Sequence, residues 1–220
     1  MANRVLCAVC HVWNELPDTG PQPDHRAPSD FDTRPGGAER YSLSSWLQMC
    51  GSCGYAAESI AVASPEASGI VSSDDYQACR HEVEVPPAAR PFFCYAKLLS
   101  RLHMHADAGW SALHAAWVCD DLQEDEAAGA MRRLALDHWH RGKAAGQQFG
   151  DDLATEFALA TDIYRRLGEF EQAVVACSEG LDIDDIPPVL EKLLRRQMVL
   201  IQARDTSVHN MGELISSPAA

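Results

Sequence analysis

Two Cys-x-x-Cys pairs, Cys7-Ala8-Val9-Cys10 and Cys50-Gly51-Ser52-Cys53, are separated by 39 residues. A gap of two residues lets a tight turn aim both sulfurs of a pair at one ion. A second turn, brought in from elsewhere in the chain, completes a tetrahedral shell of four thiolates, the shell that zinc prefers. Gly51 and Gly54 suit the second turn, because glycine tolerates positive φ and lets backbone N–H groups approach sulfur. The first turn holds Ala8 and is followed by His11. The doubled spacing predicts one zinc site built from Cys7, Cys10, Cys50 and Cys53. A shell closed by four cysteines has no position for water, so the expected site is structural.

Three other readings share these cysteines. Cys7-x-x-Cys10-His11 has the form of a c-type haem attachment, two thioether anchors and an iron ligand. Such attachment normally follows export. The residues before Cys7 are Met1-Ala2-Asn3-Arg4-Val5-Leu6, with no apolar signal segment, and haem leaves Cys50 and Cys53 unexplained. A redox-active pair calls for a strand–helix context, whereas the segment after Cys10 is rich in Pro and Asp. The remaining reading is ordinary reduced thiols. Cys79, Cys94, Cys119 and Cys177 stand alone, and three of them lie in apolar helical surroundings where cysteine acts as a small hydrophobe. These features together predict a cytoplasmic protein without a disulfide framework.

The formal charge of −14 argues against a non-specific nucleic-acid binder, which needs a basic surface. The first 60 residues hold Arg4, Arg26, Arg34 and Arg40 against seven acids, so the ribbon region has no basic patch either. An acidic excess serves solubility, and it also suits a basic partner segment. No run approaches the roughly 18 apolar residues of a membrane span. With 46% apolar residues the chain can build a real core.

Along the chain, residues 6–13 read as a hairpin carrying the first cysteine turn, and residues 15–39 as an irregular Pro-, Asp- and Gly-rich loop. In that loop Asp32 and Arg34 are placed to pair or cap turns and hold it over the metal site. Residues 41–49 read as a strand leading into the second turn, and residues 55–60 as the start of a helix. Hairpin, loop, strand and turn follow the order of a zinc ribbon. Residues 61–72 read as a linker, with Ser73 capping a short helix that the Pro86-Pro87 pair closes off. From about Ala88 the period becomes helical: Phe92, Tyr95, Ala96 and Leu99, then Trp110, Leu113 and Trp117, then Met131, Leu134, Ala135 and His138. Asp151 and Asp152 favour a fresh helix ending at Gly168. Another runs from Phe170 to Leu181, and Pro187-Pro188 opens one striped by Leu190, Leu193, Leu194, Gln197 and Ile201. The expected fold is α+β but mostly α: a ribbon module over 1–60, a linker and short helix over 61–87, antiparallel helical hairpins over 88–205 and a flexible tail over 206–220.

Phe157, Tyr164, Gly168, Phe170, Ala173 and the Leu181 to Pro187 ending resemble a tetratricopeptide repeat (TPR), with Thr161 and Gly180 departing from its usual small residues. Taken whole, the chain resembles a group of uncharacterised bacterial proteins that carry an N-terminal Cys-x-x-Cys…Cys-x-x-Cys-Gly-Tyr ribbon followed by TPR-like helices. The resemblance rests on Cys7, Cys10, Asp32, Arg34, Cys50, Cys53, Gly54, Tyr55, Ala115-Ala116-Trp117 and Arg166-Leu167-Gly168-Glu169. It implies a structural zinc ribbon and no established activity. His11 stands where that group commonly has glycine.

No Gly-rich phosphate loop, nucleophile elbow or His-Glu-x-x-His motif is present. His103-Met104-His105 and His138-Trp139-His140 are candidate ligands. On one helix, however, i and i+2 diverge by about 200°, so a second metal site needs histidines from different helices, with Cys79 or His81 as further candidates. Asp137 and His138 diverge in the same way. The expectation is a zinc-stabilised cytoplasmic scaffold that binds a protein or peptide through its helical face. The alternative is a metal- or haem-dependent enzyme or redox protein using Cys7, Cys10 and His11 or the helical histidines.

Overall fold

Helix ends in this chain are set by a repeated piece of backbone chemistry. The computed structural model describes residues 3–16 and 27–216. Among them are four short strands, β1 (Asn3–Leu6), β2 (Trp13–Leu16), β3 (Gln48–Met49) and β4 (Ala56–Ala57). Nine α-helices follow: α1 (Ala67–Val71), α2 (Asp74–Arg80), α3 (Arg90–Arg101), α4 (His105–Asp121), α5 (Asp125–Ala144), α6 (Leu153–Arg166), α7 (Phe170–Leu181), α8 (Pro188–Gln202) and α9 (Gly212–Ser216). The protein is therefore α+β and mostly α, as expected.

Five of the helices close with the same left-handed residue, His103, Gln123, Gly146, Gly168 and Arg204. In each the following N–H reaches back to a carbonyl of the last turn: Met104 to Leu99, Glu124 to Cys119, Gln147 to Gly142, Glu169 to Tyr164 and Asp205 to Leu200, all at 2.8–3.0 Å. This is the Schellman closure, which satisfies carbonyls that a helix end leaves open. Three residues suffice for the turn, so α3, α4 and α5 fold back in succession, and α6 on α7 likewise. Ser73 and Asp152 cap α2 and α6 by accepting hydrogen bonds from the N–H groups of Tyr76 and Thr155.

The chain divides into two compact units, Met1–Pro23 with Tyr41–Gln147 and Asp24–Arg40 with Gln148–Ala220. In the first, β1 pairs antiparallel with β2, β3 with β4, and both hairpins join the helices in one core. That core contains Cys7, Cys50, Tyr55, Ile60, Val71, Tyr76, Cys94 and Leu98. The segment read as linker and short helix thus carries α1 and α2, whose Ala67, Val71, Tyr76 and Cys79 are buried in the core of the ribbon. In α4, Ala108, Ala112, Ala115 and Ala116 are fully buried, and such small side chains let neighbouring helices approach closely. Arg132 on α5 holds Asp120 on α4 with two hydrogen bonds of 3.0 and 2.5 Å.

In the second unit, α6, α7 and α8 pack around Ala158, Ala173, Cys177, Leu194 and Ile201. Residues 27–34 belong here. Phe31 N–H donates to the His209 carbonyl, Met211 N–H donates to the Ser29 carbonyl, and Phe31 stacks on the His209 ring at 5.9 Å. The length of the excursion between Cys10 and Cys50 now has a cause: part of it is built into the C-terminal unit. Asp32 and Arg34 lie in this unit and cap a turn as expected: Arg34 N–H donates to Asp32, and Asp32 pairs with Arg166 at 3.7 Å. Residues 206–216, expected as part of a flexible tail, carry α9 and buried Leu214. Arg165 donates to the carbonyls of Asp205 and Ser207. Residues 17–26 of the expected loop and 217–220 of the expected tail lie outside the described residues.

Two local expectations are corrected. Residues 41–49 are not one strand: Gly37–Ser45 forms 3-10 turns and β3 covers only Gln48 and Met49. The Ser45 hydroxyl donates to the Ser42 carbonyl, the kind of local bond by which serine diverts a chain from a sheet ladder. Residues 55–60 do not start a helix. Their backbone is committed to the two cysteine turns, with the Tyr55 carbonyl accepting from Cys50 N–H of the second and the Ile60 carbonyl from Ala8 N–H of the first.

Candidate metal centre

Each cysteine pair sits on the turn of a hairpin, and the two turns are copies of one another. Cys7 N–H donates to the Val12 carbonyl at 3.0 Å, and Cys50 N–H to the Tyr55 carbonyl at 2.8 Å. His11 N–H and Gly54 N–H donate back to the carbonyls of Cys7 and Cys50, both at 2.9 Å. The fifth residue is left-handed in both, His11 at φ 57° and Gly54 at φ 80°. Histidine therefore adopts the conformation that the second turn obtains from glycine. Gly54 is fixed in another way too. A Cβ there would stand 2.7 Å from Cδ of Arg80.

The four sulfurs converge. All lie within 4.8 Å of one another, with Cys10 to Cys50 at 3.5 Å and Cys7 to Cys53 at 3.7 Å. A metal–sulfur bond of about 2.3 Å places the corners of a tetrahedron about 3.8 Å apart, so the group has the size of an S4 site. Cys7 and Cys50 are fully buried. The four cysteines are therefore positioned to bind a metal ion, and tetrahedral sulfur ligation is the chemistry of zinc or iron.

The surroundings favour bound thiolates. Burial pushes the Cys50 thiol up, but N–H groups of Cys53 and Ser52 and the Asn14 amide outweigh it and bring the thiol down to about 6. Cys7 and Cys53 are pushed up, first by burial. One thiolate is thus ready at neutral pH, and a cation must offset the charge of the others.

Several supporting residues carry no sequence signature. Asn14 on β2 accepts from Gly51 N–H at 2.9 Å while its amide reaches the Cys50 sulfur at 3.5 Å, tying the first hairpin to the second turn. Arg80 on α2 donates to the carbonyls of Ser52 and Gly51 at 2.7 and 2.6 Å. Tyr76 donates to the Gly54 carbonyl and accepts from Ala56 N–H, and Gln77 donates to the Cys53 carbonyl. Such outer contacts fix the ligands of a metal site.

The other candidates are arranged differently. Both sulfurs of the first pair are committed to the four-sulfur group, so a porphyrin anchored on Cys7 and Cys10 would have to displace Cys50 and Cys53. His105 and His138 do meet across α4 and α5, with rings stacked at 5.9 Å, and His103 stands at 6.1 Å from His105. Burial holds His138 down to about 4. Among the described residues, however, the four cysteines are the one group of three or more His, Cys, Asp or Glu side chains close enough to share an ion. Asp137 pairs with Arg141 at 3.0 Å. Among the described residues no helix is long and apolar enough to cross a membrane.

Comparison with models of protein families, with curated proteins and with solved structures gave no match.

Proposed function

We propose that this is a zinc-stabilised interaction protein of the cytoplasm, in which the metal holds the N-terminal hairpins in shape and the C-terminal helices receive a protein or peptide. The observation that carries the first half is the closure of the site: four sulfurs from two matched turns, with no side chain other than cysteine among the ligands. A shell of that kind leaves no position for water or substrate, so its work is structural. None of the eight cysteines forms a disulfide, which suits a reducing compartment.

The second half draws on the helical hairpin of α6 and α7 and its likeness to a TPR. Gly180 lets α7 approach α6 and α8, and Thr161 turns its hydroxyl to the Phe157 carbonyl at 2.7 Å, so both departures from the repeat pattern are accommodated. Val175 on α7 and Val199 on α8 expose more than half of their surface and offer apolar contact.

Metal analysis with a visible spectrum tests the first half: a colourless protein with one zinc per chain is expected, and a haem band or an iron–sulfur chromophore refutes zinc. Affinity capture from the native host tests the second. Partners held by the wild type and lost from a Val175→Glu, Val199→Glu variant support it; an identical capture from both refutes it.

A further inference from the structure

The first unit contains a cavity of about 340 Å³ that the metal centre does not use. Its wall includes the aromatic side chains of Trp46, Phe92, Tyr95 and Trp110, together with two carboxylates, Glu58 and Asp107. Among the described residues no lysine or arginine lines it. A second lobe of about 390 Å³ shares Glu58, Tyr95, Leu99 and Met104 with the first and continues along Val62, Ala67, Leu98 and Leu102. The two lobes meet at those four side chains and are together termed the trough, the first lobe aromatic and acidic and the second aliphatic.

The polar groups of the wall narrow the choice of ligand. The Ser111 hydroxyl is already engaged with the Phe92 carbonyl at 2.8 Å. His114 is packed by Trp46, Phe92, Trp110 and Trp117 at 4.6–5.9 Å, and burial holds it down to about 4, so it is neutral at pH 7 and adds no positive charge. Both carboxylates stand close enough to the Tyr95 hydroxyl to raise it, after burial itself. Both are exposed, and among the described residues neither forms an ion pair. Anions are repelled here, and sugars or nucleotides find few free donors. A cation whose charge is spread over alkyl groups needs no hydrogen bonds, is drawn to aromatic rings and carboxylates, and is cheaply dehydrated.

We propose that this trough binds a free small organic cation, a methylated ammonium head seated among Trp46, Tyr95 and Trp110 with an apolar tail along Val62 and Leu102. The volume is within the range of small-ligand sites. Calorimetric titration of the full-length, metal-loaded chain tests the idea with choline, its uncharged isostere 3,3-dimethylbutan-1-ol, and tetramethyl-, butyltrimethyl- and hexyltrimethylammonium salts. Choline should bind about tenfold more tightly than the neutral alcohol. Affinity should rise along the alkyl series, by up to about fourfold for each methylene buried. The Glu58→Gln, Asp107→Asn variant, altered only at exposed positions, should keep its circular dichroism and lose the preference for choline. Equal affinity for choline and the alcohol overturns the proposal, as does unchanged discrimination in the variant. So does the absence of saturable binding of hexyltrimethylammonium at millimolar concentration, including the case where a trimethyllysine peptide binds and the free salts do not.

Discussion

Two helical glycines should respond in opposite directions to the same substitution. An alanine Cβ at Gly180 in α7 would stand 2.9 Å from Cδ1 of Leu194 and 3.0 Å from Cβ of Phe157. Neither neighbour can yield easily. Leu194 is fully buried, and Phe157 Cβ is fixed to the backbone of α6. Overpacking of this kind costs about 1–3 kcal/mol, against about 0.8–1 kcal/mol gained from the better helix propensity of alanine. The net expectation for Gly180→Ala is a loss of about 1 kcal/mol. At Gly69 in α1 an added Cβ meets nothing within 4 Å, so Gly69→Ala should gain about 0.5–1 kcal/mol. Each change corresponds to about 2–8 °C in Tm per kcal/mol, the larger figure if the two units unfold separately. All five tryptophans lie at positions 13–139, so their fluorescence reports the first unit and circular dichroism must follow the second. A Gly180→Ala protein that melts higher than wild type refutes the close approach of α7 to α6 and α8.

Four further outcomes are expected. Gln123 is left-handed at φ 60° and exposed, so Gln123→Gly should raise stability by about 1 kcal/mol in urea denaturation; a loss of stability contradicts the Schellman closure. Arg165→Met leaves buried Asp162 without its partner at 2.7 Å and should cost about 3–5 kcal/mol, while adding Asp162→Leu should recover part of the loss. His138 titrates near 4 in the folded protein, chiefly through burial, and near 6.5 unfolded. The unfolded chain therefore binds more protons between those values, so stability falls as pH drops from about 6.5 toward 4, by at most about 3 kcal/mol, and His138→Phe should flatten that slope. Arg80→Ala removes both bonds to the second cysteine turn and should weaken metal retention against a chelator by about tenfold; unchanged retention would mean the turn holds without α2.

What could be read from the chain follows from how local each signal is. The cysteine turns were legible because a two-residue gap fixes geometry by itself. The helices from Phe92 onward were legible because apolar residues recur at helical spacing, and the ends at Asp152, Gly168 and Pro188 coincide with residues whose chemistry marks an end. His103, Gln123 and Arg204 also end helices in the left-handed form, yet nothing in their side chains announces it. Residues 41–49 alternate like a strand, but local serine bonding prevails. The supports of the metal centre, Asn14, Arg80, Tyr76 and Gln77, were out of reach because each depends on contacts formed only in the folded unit. The same holds for the assignment of Phe31, Asp32 and Arg34 to the C-terminal unit. The excursion between the cysteine pairs contains the residues, but their partners, His209, Met211 and Arg166, come from the other end of the chain.

X-ray absorption at the metal edge of protein purified under reducing conditions tests the central claim most directly. The account predicts one zinc per chain with four sulfur neighbours at about 2.3 Å, and loss of that shell in Cys50→Ser. A metal bound through nitrogen or oxygen donors, or a folded protein holding no ion at these sulfurs, would contradict it.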